Sequence, residues 1–137
     1  MKASKIFNLE TQDDSLYIDK STLPGAGSGL FTKKIIKKDE LICYFSGELI
    51  DEEEATRLDT GERGHYFVQL PSGKILDTYK SDSFAKWVND AKDKRINNAK
   101  IYAAVSGTRA YISATKTIRP GAEIFAAYGS QYWKNIK

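Results

Sequence analysis

Three short stretches gather residues that could do chemistry in this 137-residue chain: Gly27-Ser28-Gly29, Asn89-Asp90 and Tyr128-Gly129. Glycine removes the Cβ that would keep a ligand off the backbone, so the first stretch suits a close approach. It opens a strand rather than a helix, which argues against a phosphate cradle or a dinucleotide fingerprint. A plain surface turn would use the same residues. Asn89 and Asp90 close the stretch 83–91, where Phe84, Trp87, Val88 and Ala91 recur at the i, i+3, i+4, i+7 spacing of one helical face. Polar side chains at the end of a buried turn need partners, or cost about 1–3 kcal/mol each. They therefore either cap the helix or hold a ligand. Near the C-terminus, apolar strand residues lead to Tyr128-Gly129 and then Tyr132-Trp133. Rings there ordinarily pack, with the Tyr hydroxyl left at the surface.

The missing reagents narrow the chemistry further. With one cysteine, Cys43, the chain has no internal disulfide and no thiolate-rich zinc cluster. Cys43 lies between Ile42 and Tyr44 in an apolar run, the setting of a buried, inert thiol. With one histidine, His65, a metal site or a His-based triad lacks its parts.

The elements that must position these groups are mostly strands. Strands are expected at 16–18, 29–36, 40–45, 65–70, 74–79, 101–105, 109–118 and 122–129. The pairs 29–36/40–45 and 109–118/122–129 read as two hairpins, turning at Lys37-Lys38-Asp39 and Arg119-Pro120-Gly121. Laid over one another at Ile36 and Ile118, they share a strand–turn–strand pattern ending in Gly47 and Gly129. A third pair turns at Pro71-Ser72-Gly73. A helix is expected over 51–58, with Asp51 as its cap and Glu54 completing a box-like arrangement. Residues 92–98 form a polar loop. Residues 1–14 read as a loose arm and 15–137 as one domain, mainly β, with no βαβ alternation.

Hydrophobic residues at 41% and charged residues at 28% are ordinary for a globular domain. No run approaches the 18 apolar residues of a spanning helix, and no long apolar run follows Met1–Lys5 as a secretory leader would require. The net charge of +3 suits a basic peptide held by local acidic patches and does not by itself indicate nucleic acid. Lys33, Lys34, Lys37 and Lys38 flank a turn, where lysines usually serve solubility.

Taken in order and spacing, the motifs resemble the SET-domain protein-lysine methyltransferases over roughly residues 16–133. Gly27-Ser28-Gly29 before Leu30-Phe31 matches the family's Gly-x-Gly. Phe45-Ser46-Gly47-Glu48 is similar to its Tyr-x-Gly-Glu, and Ile75-Leu76-Asp77 to its Ile-Asp-Ala. Lys86-Trp87-Val88-Asn89-Asp90-Ala91 resembles its Arg-Phe-x-Asn-His-Ser box, and Asn97-Asn98 its Pro-Asn. Gly121-Ala122-Glu123-Ile124 and Tyr128-Gly129 match the closing motifs.

The resemblance implies a mainly β fold of several short curved sheets with short helices, and a C-terminal segment threaded into a pseudoknot-like active site. It implies S-adenosylmethionine as cofactor, a lysine-containing protein or peptide as substrate with a histone tail as one candidate, and no metal. Tyr128 takes the catalytic place. Gly27, Ser28, Gly29, Asn89, Asp90 and Trp133 take the cofactor-binding places, and Phe45, Tyr44, Tyr66 and Tyr102 are candidates for the lysine channel. Such methyl transfer is an in-line displacement that needs a neutral amine and good alignment, not a His or Cys base. Compact viral members share this chain's length and Tyr-Trp ending. No zinc segments flank the domain, so a homodimer is a candidate assembly. Nuclear location would follow if eukaryotic histones are the substrate. Asp90 and Phe45 depart from the usual His and Tyr, which leaves a SET-like binding module with little or no catalysis as the alternative.

Overall fold

In a computed structural model describing residues 14–59, 66–103 and 109–127, Leu16–Lys20 (β1) and Ser28–Thr32 (β2) pair antiparallel around the glycine-rich loop. Ser21 N donates to Gly27 O at 2.7 Å and closes that loop at its base. Glu123–Ile124 (β9) pairs with the other edge of β2, giving a three-stranded sheet β1-β2-β9. A second sheet holds Leu41–Tyr44 (β3), Ala99–Ala103 (β7), Ala110–Ala114 (β8) and Ala126–Ala127 (β10) in the order β10-β7-β8-β3. The third holds Glu48–Ile50 (β4), Phe67–Gln69 (β5) and Ile75–Asp77 (β6) in the order β4-β6-β5. The core between the elements is mainly aliphatic, with Leu30, Leu70, Ile112, Ile118 and Ile124 fully buried.

The two expected hairpins do not form. β2 pairs with β1 and β9, not with β3, while β8 pairs with β7 and β3, not with β9. The chain leaves the first sheet at Thr32, whose Oγ1 accepts from Lys34 N at 3.1 Å and donates to Lys34 O at 2.8 Å. That local turn breaks the expected strand 29–36 and leaves Ile36 as a single bridge. Its partner is Ile118, and the two exchange both backbone hydrogen bonds, at 2.9 and 2.8 Å.

The surrounding bonds repeat on either side of this pair. Asp39 N donates to Ala114 O at 2.8 Å, and Ala114 N to Glu40 O at 3.0 Å. Gly121 N donates to Thr32 O at 2.7 Å, and Thr32 N to Ala122 O at 3.3 Å. Both turns carry a left-handed residue at the same place, Asp39 at φ 73° and Gly121 at φ 85°. The two strand–turn–strand segments are thus related by an approximate two-fold axis, and each gives a strand to the other's sheet.

The remaining elements follow the sequence more closely. Phe67–Gln69 and Ile75–Asp77 form the expected antiparallel pair. Glu48–Ile50 is an additional strand, too short to show alternation by itself, which pairs with β6. Glu52–Leu58 (α1) is capped by Asp51, which accepts from Glu54 N at 2.8 Å. The Glu54 carboxylate pairs with Arg57, so only half of the box is made. Phe84–Trp87 is a single 3₁₀ turn, shorter than the helix its periodicity predicts. Ser83 caps it, accepting from Ala85 N at 3.1 Å and donating to Tyr44 O at 2.7 Å.

Since Ile36 and Ile118 are each 2% exposed at the symmetric contact, Ile36→Ala and Ile118→Ala are each expected to cost about 2–5 kcal/mol. Urea unfolding measures this; a loss below ~1 kcal/mol for both would show that the bridge is not a core contact.

Candidate active site

The site is built where residues 123–127 thread between two parts of one loop. On one side Asn89 forms a parallel bridge with Phe125, and Ala126 N donates to Asn89 O at 2.9 Å. On the other, β10 runs parallel to β7. Asn98 secures that side through its Nδ2 to Glu123 O at 3.0 Å and its Oδ1 from Phe125 N at 2.9 Å. The loop between is latched on itself. Asp90 Oδ1 accepts from Lys92 N at 2.7 Å and from Asn97 Nδ2 at 2.9 Å, and Asn97 Oδ1 accepts from Ala91 N at 2.9 Å. Further along, the Arg95 guanidinium beside Asp93 holds its carboxyl below the usual carboxylate range. This threading is the pseudoknot-like arrangement expected of the C-terminal segment.

Glu123 is 5% exposed. Its Oε2 accepts from Ser21 Oγ at 2.8 Å, and its Oε1 from Thr22 N and Thr22 Oγ1, both at 2.7 Å. Asn89 Nδ2 donates to Ser28 O at 2.9 Å and lies 3.4 Å from Glu123 Oε2. A Cβ on Gly29 would overlap Glu123 Oε2 and crowd its Cδ. Gly29 thus leaves room for a protein carboxylate, where the sequence suggests room for a ligand. Gly27 differs: its φ is 75° and nothing lies within 4 Å of a Cβ built there, so the backbone conformation itself favours glycine.

Ala26, Ser28, Tyr66, Lys86, Trp87 and Asn89 line a cavity of about 330 Å³, at the lower end of small-molecule sites. Lys86 Nζ is fixed at its wall. It donates to Tyr79 O at 2.6 Å and Ser81 O at 3.4 Å, and stands 5.3 Å from the ring centres of both Tyr66 and Trp87. Carbonyl dipoles and ring faces stabilise an ammonium there. Lys86 and Glu123 carry no role in the reading from sequence. The available signals were a cation three residues before Asn89 and a lone charge in an apolar strand.

The structure brings Ser28, Asn89 and Tyr66 together at this cavity and leaves other candidates elsewhere. Asp90 points its carboxylate into the latch of its own loop. Phe45 is 5% exposed and belongs to the hydrophobic core. Tyr44 and Tyr102 flank Tyr111 in a row across the second sheet, with centroid distances of 5.8 and 5.6 Å. The Arg109 guanidinium lies 3.9 Å above Tyr44, and neither Tyr44 nor Tyr102 lines the cavity. Tyr128, Gly129, Tyr132, Trp133 and His65 lie outside the described residues. Among the described residues no cluster of three or more His, Cys, Asp or Glu could hold a metal, and no helix is long and apolar enough to cross a membrane.

A mainly β domain of three small sheets, with its C-terminal segment threaded beside a cavity, defines the class. Residues 27–129 match the SET domain, and the chain belongs to the SET-domain family. It is 30% identical over 125 residues to histone-lysine N-methyltransferase mes-4 of Caenorhabditis elegans, covering 80% of this chain and 14% of that protein. It is 29% identical over 116 residues to the human histone-lysine N-methyltransferase, H3 lysine-36 specific, covering 81% of this chain and 4% of the other. Among solved structures it resembles "ctPRC2 in an autoinhibited conformation bound to S-adenosylmethionine". The TM-score is 0.70 and the identity 27%, over 89% of this chain and 16% of that one. The chain thus spans a small part of each of these relatives.

Gly29→Ala is expected to cost about 1–3 kcal/mol through overpacking against Glu123. In a double-mutant cycle with Glu123→Ala, which makes room, the losses should fall short of additivity by about 1 kcal/mol. Additive losses in urea unfolding would place the strain at Gly29 elsewhere.

Proposed function

We propose that the chain is an S-adenosylmethionine-dependent protein-lysine N-methyltransferase. The observation that carries this reading is the cavity shared by Ser28 and Asn89, beside the threaded segment and within the stretch matched to the SET domain. Relatives named as histone-lysine methyltransferases support the reaction class, and the neighbour bound to S-adenosylmethionine supports the cofactor.

The residues present fit that cofactor. Asn89 offers an amide oxygen to an α-ammonium, and Lys86 offers the nearby cation that an α-carboxylate needs. Ser28 lines the cavity, Gly27 beside it in the chain is the proposed point of close backbone approach, and Trp133 is the proposed cover for the adenine. When bound, the cofactor supplies an electrophilic methyl group on a sulfonium.

The chain must then deliver a neutral lysine amine, although the ordinary pKa is near 10.4. A dry channel beside a positive charge disfavours the ammonium form. Tyr128, next in the chain after the threaded segment, is the proposed catalytic residue, its hydroxyl orienting the amine. Tyr66 is the channel candidate that lines the same cavity as Asn89. A histone tail is the proposed substrate. The acidic first turn of α1, Glu52, Glu53 and Glu54, would favour such a basic peptide.

Incubating the protein with radiolabelled S-adenosylmethionine and core histones, followed by mass spectrometry and a peptide array, tests this reading. Label on lysine is the expected result. Cofactor binding without transfer to any basic protein would leave the binding-module alternative, and no cofactor binding would end the transferase reading. Tyr128→Phe is expected to lower transfer by about 10²-fold or more with an unchanged circular dichroism spectrum. Normal methylation by that variant would remove Tyr128 from the reaction. Lys86→Met is expected to raise the cofactor Kd about tenfold in calorimetry; an unchanged Kd would remove Lys86 from the site.

A further inference from the structure

We infer that Glu123 is a positioning residue that, together with the Ser28 carbonyl, fixes the polarity of Asn89, so that Asn89 presents its amide oxygen to the amino group of the cofactor's amino-acid arm. This rests on reading the cavity as the cofactor site. The groups facing one end of the Asn89 amide are the Ser28 carbonyl at 2.9 Å and the Glu123 carboxylate at 3.4 Å. The Ser28 carbonyl only accepts hydrogen bonds and Glu123 Oε2 stands beside it as a second acceptor, so the amide nitrogen faces them. The amide oxygen is then left, among the described residues, with no donor, on a side chain that lines the cavity. It is an acceptor awaiting a donor, which an ammonium supplies and a carboxylate does not.

Glu123 suits this task because it accepts at every position. Its Oε1 is held by Thr22 N and Thr22 Oγ1, and its Oε2 by Ser21 Oγ. The same three bonds pin the start of the 21–27 loop, whose far end carries Gly27 and Ser28. One buried carboxylate therefore sets the loop and, with the Ser28 carbonyl, the amide opposite it.

Glutamine at 123 separates the two roles. Its NH₂ group cannot face the Thr22 backbone N–H, which has no way to accept. It must take the Oε2 side, where the Ser21 hydroxyl can rotate to accept but Asn89 Nδ2 meets another donor. The loop keeps its anchor at Thr22 while the Asn89 amide loses one of its two acceptors and keeps only the Ser28 carbonyl.

The experiment is a comparison of two ligands by calorimetry: S-adenosylhomocysteine, and the analogue lacking only its α-amine. The wild-type protein is expected to bind the deamino analogue about tenfold or more weakly. In Glu123→Gln the affinity for S-adenosylhomocysteine should fall by about tenfold, and the ratio between the ligands should shrink to about twofold or less. A ratio kept at the wild-type value, or equal loss for both ligands, overturns the inference, because a merely structural defect does not read the amine. Equal binding of both ligands by the wild type also overturns it. A wild-type protein that binds neither S-adenosylmethionine nor S-adenosylhomocysteine overturns the cofactor reading instead. Should Glu123→Gln not fold, the Asn89 side-chain amide protons of the ligand-free wild type decide the matter by ¹⁵N NMR. Slow solvent exchange is expected with Nδ2 bound to Ser28 and Glu123, and free-amide exchange overturns the inference.

Discussion

The antiparallel exchange centred on Ile36 and Ile118 is the constraint from which the rest of the arrangement follows. With both backbone bonds made between these residues, the strands before and after each must pair across the axis. β2 then meets β9, and β3 meets β8. Neither segment can complete a sheet alone, so closing the fold requires joining parts of the chain far apart in sequence. This exchange sets Glu123 opposite Phe31 on β2, within reach of the loop that begins at Ser21. The geometry of the site is therefore a consequence of the pairing.

A buried carboxylate is costly unless it is well hydrogen-bonded. Glu123 has three partners at 2.7–2.8 Å, none of them a cation. Bonds to a charged acceptor are worth more than neutral ones, and a fixed acceptor imposes direction on each donor around it. At Asn89 the carboxylate acts with the Ser28 carbonyl, and the amide nitrogen faces both. Gly29 is the steric condition for this arrangement, since a side chain on β2 at that point would occupy the carboxylate's space.

Local features were legible in the sequence, and long-range partnership was not. The Asp51 cap and the strand pair around residues 70–73 follow from residue types, and the structure has both. The likeness of the two strand–turn–strand segments was visible in their residues, and Ile36 and Ile118 do face each other. Their pairing was not visible, because a lysine-rich turn between two strands reads as a hairpin whether the partner is near or far. The small side chain of Gly29 was visible, but the carboxylate it accommodates lies on a strand ninety-odd positions away. The periodicity of Phe84, Trp87 and Val88 was visible too. It overran, since the turn ends at Trp87 and Val88 passes into the extended backbone that brings Asn89 alongside Phe125.

The two departures from the family pattern acquire different meanings once placed. At Phe45 the missing hydroxyl is missing from a core position, 5% exposed, so the change is first a matter of packing. At Asp90 the replacement has a task of its own. Its carboxylate accepts from Lys92 N and Asn97 Nδ2 and so helps close the loop whose two sides hold residues 123–127. A short carboxylate side chain is suited to gathering nearby backbone and amide donors in this way. The change of residue type at Asp90 therefore bears on how the threaded segment is kept in place, while Asn89, Ser28 and Lys86 are among the residues that line the cavity.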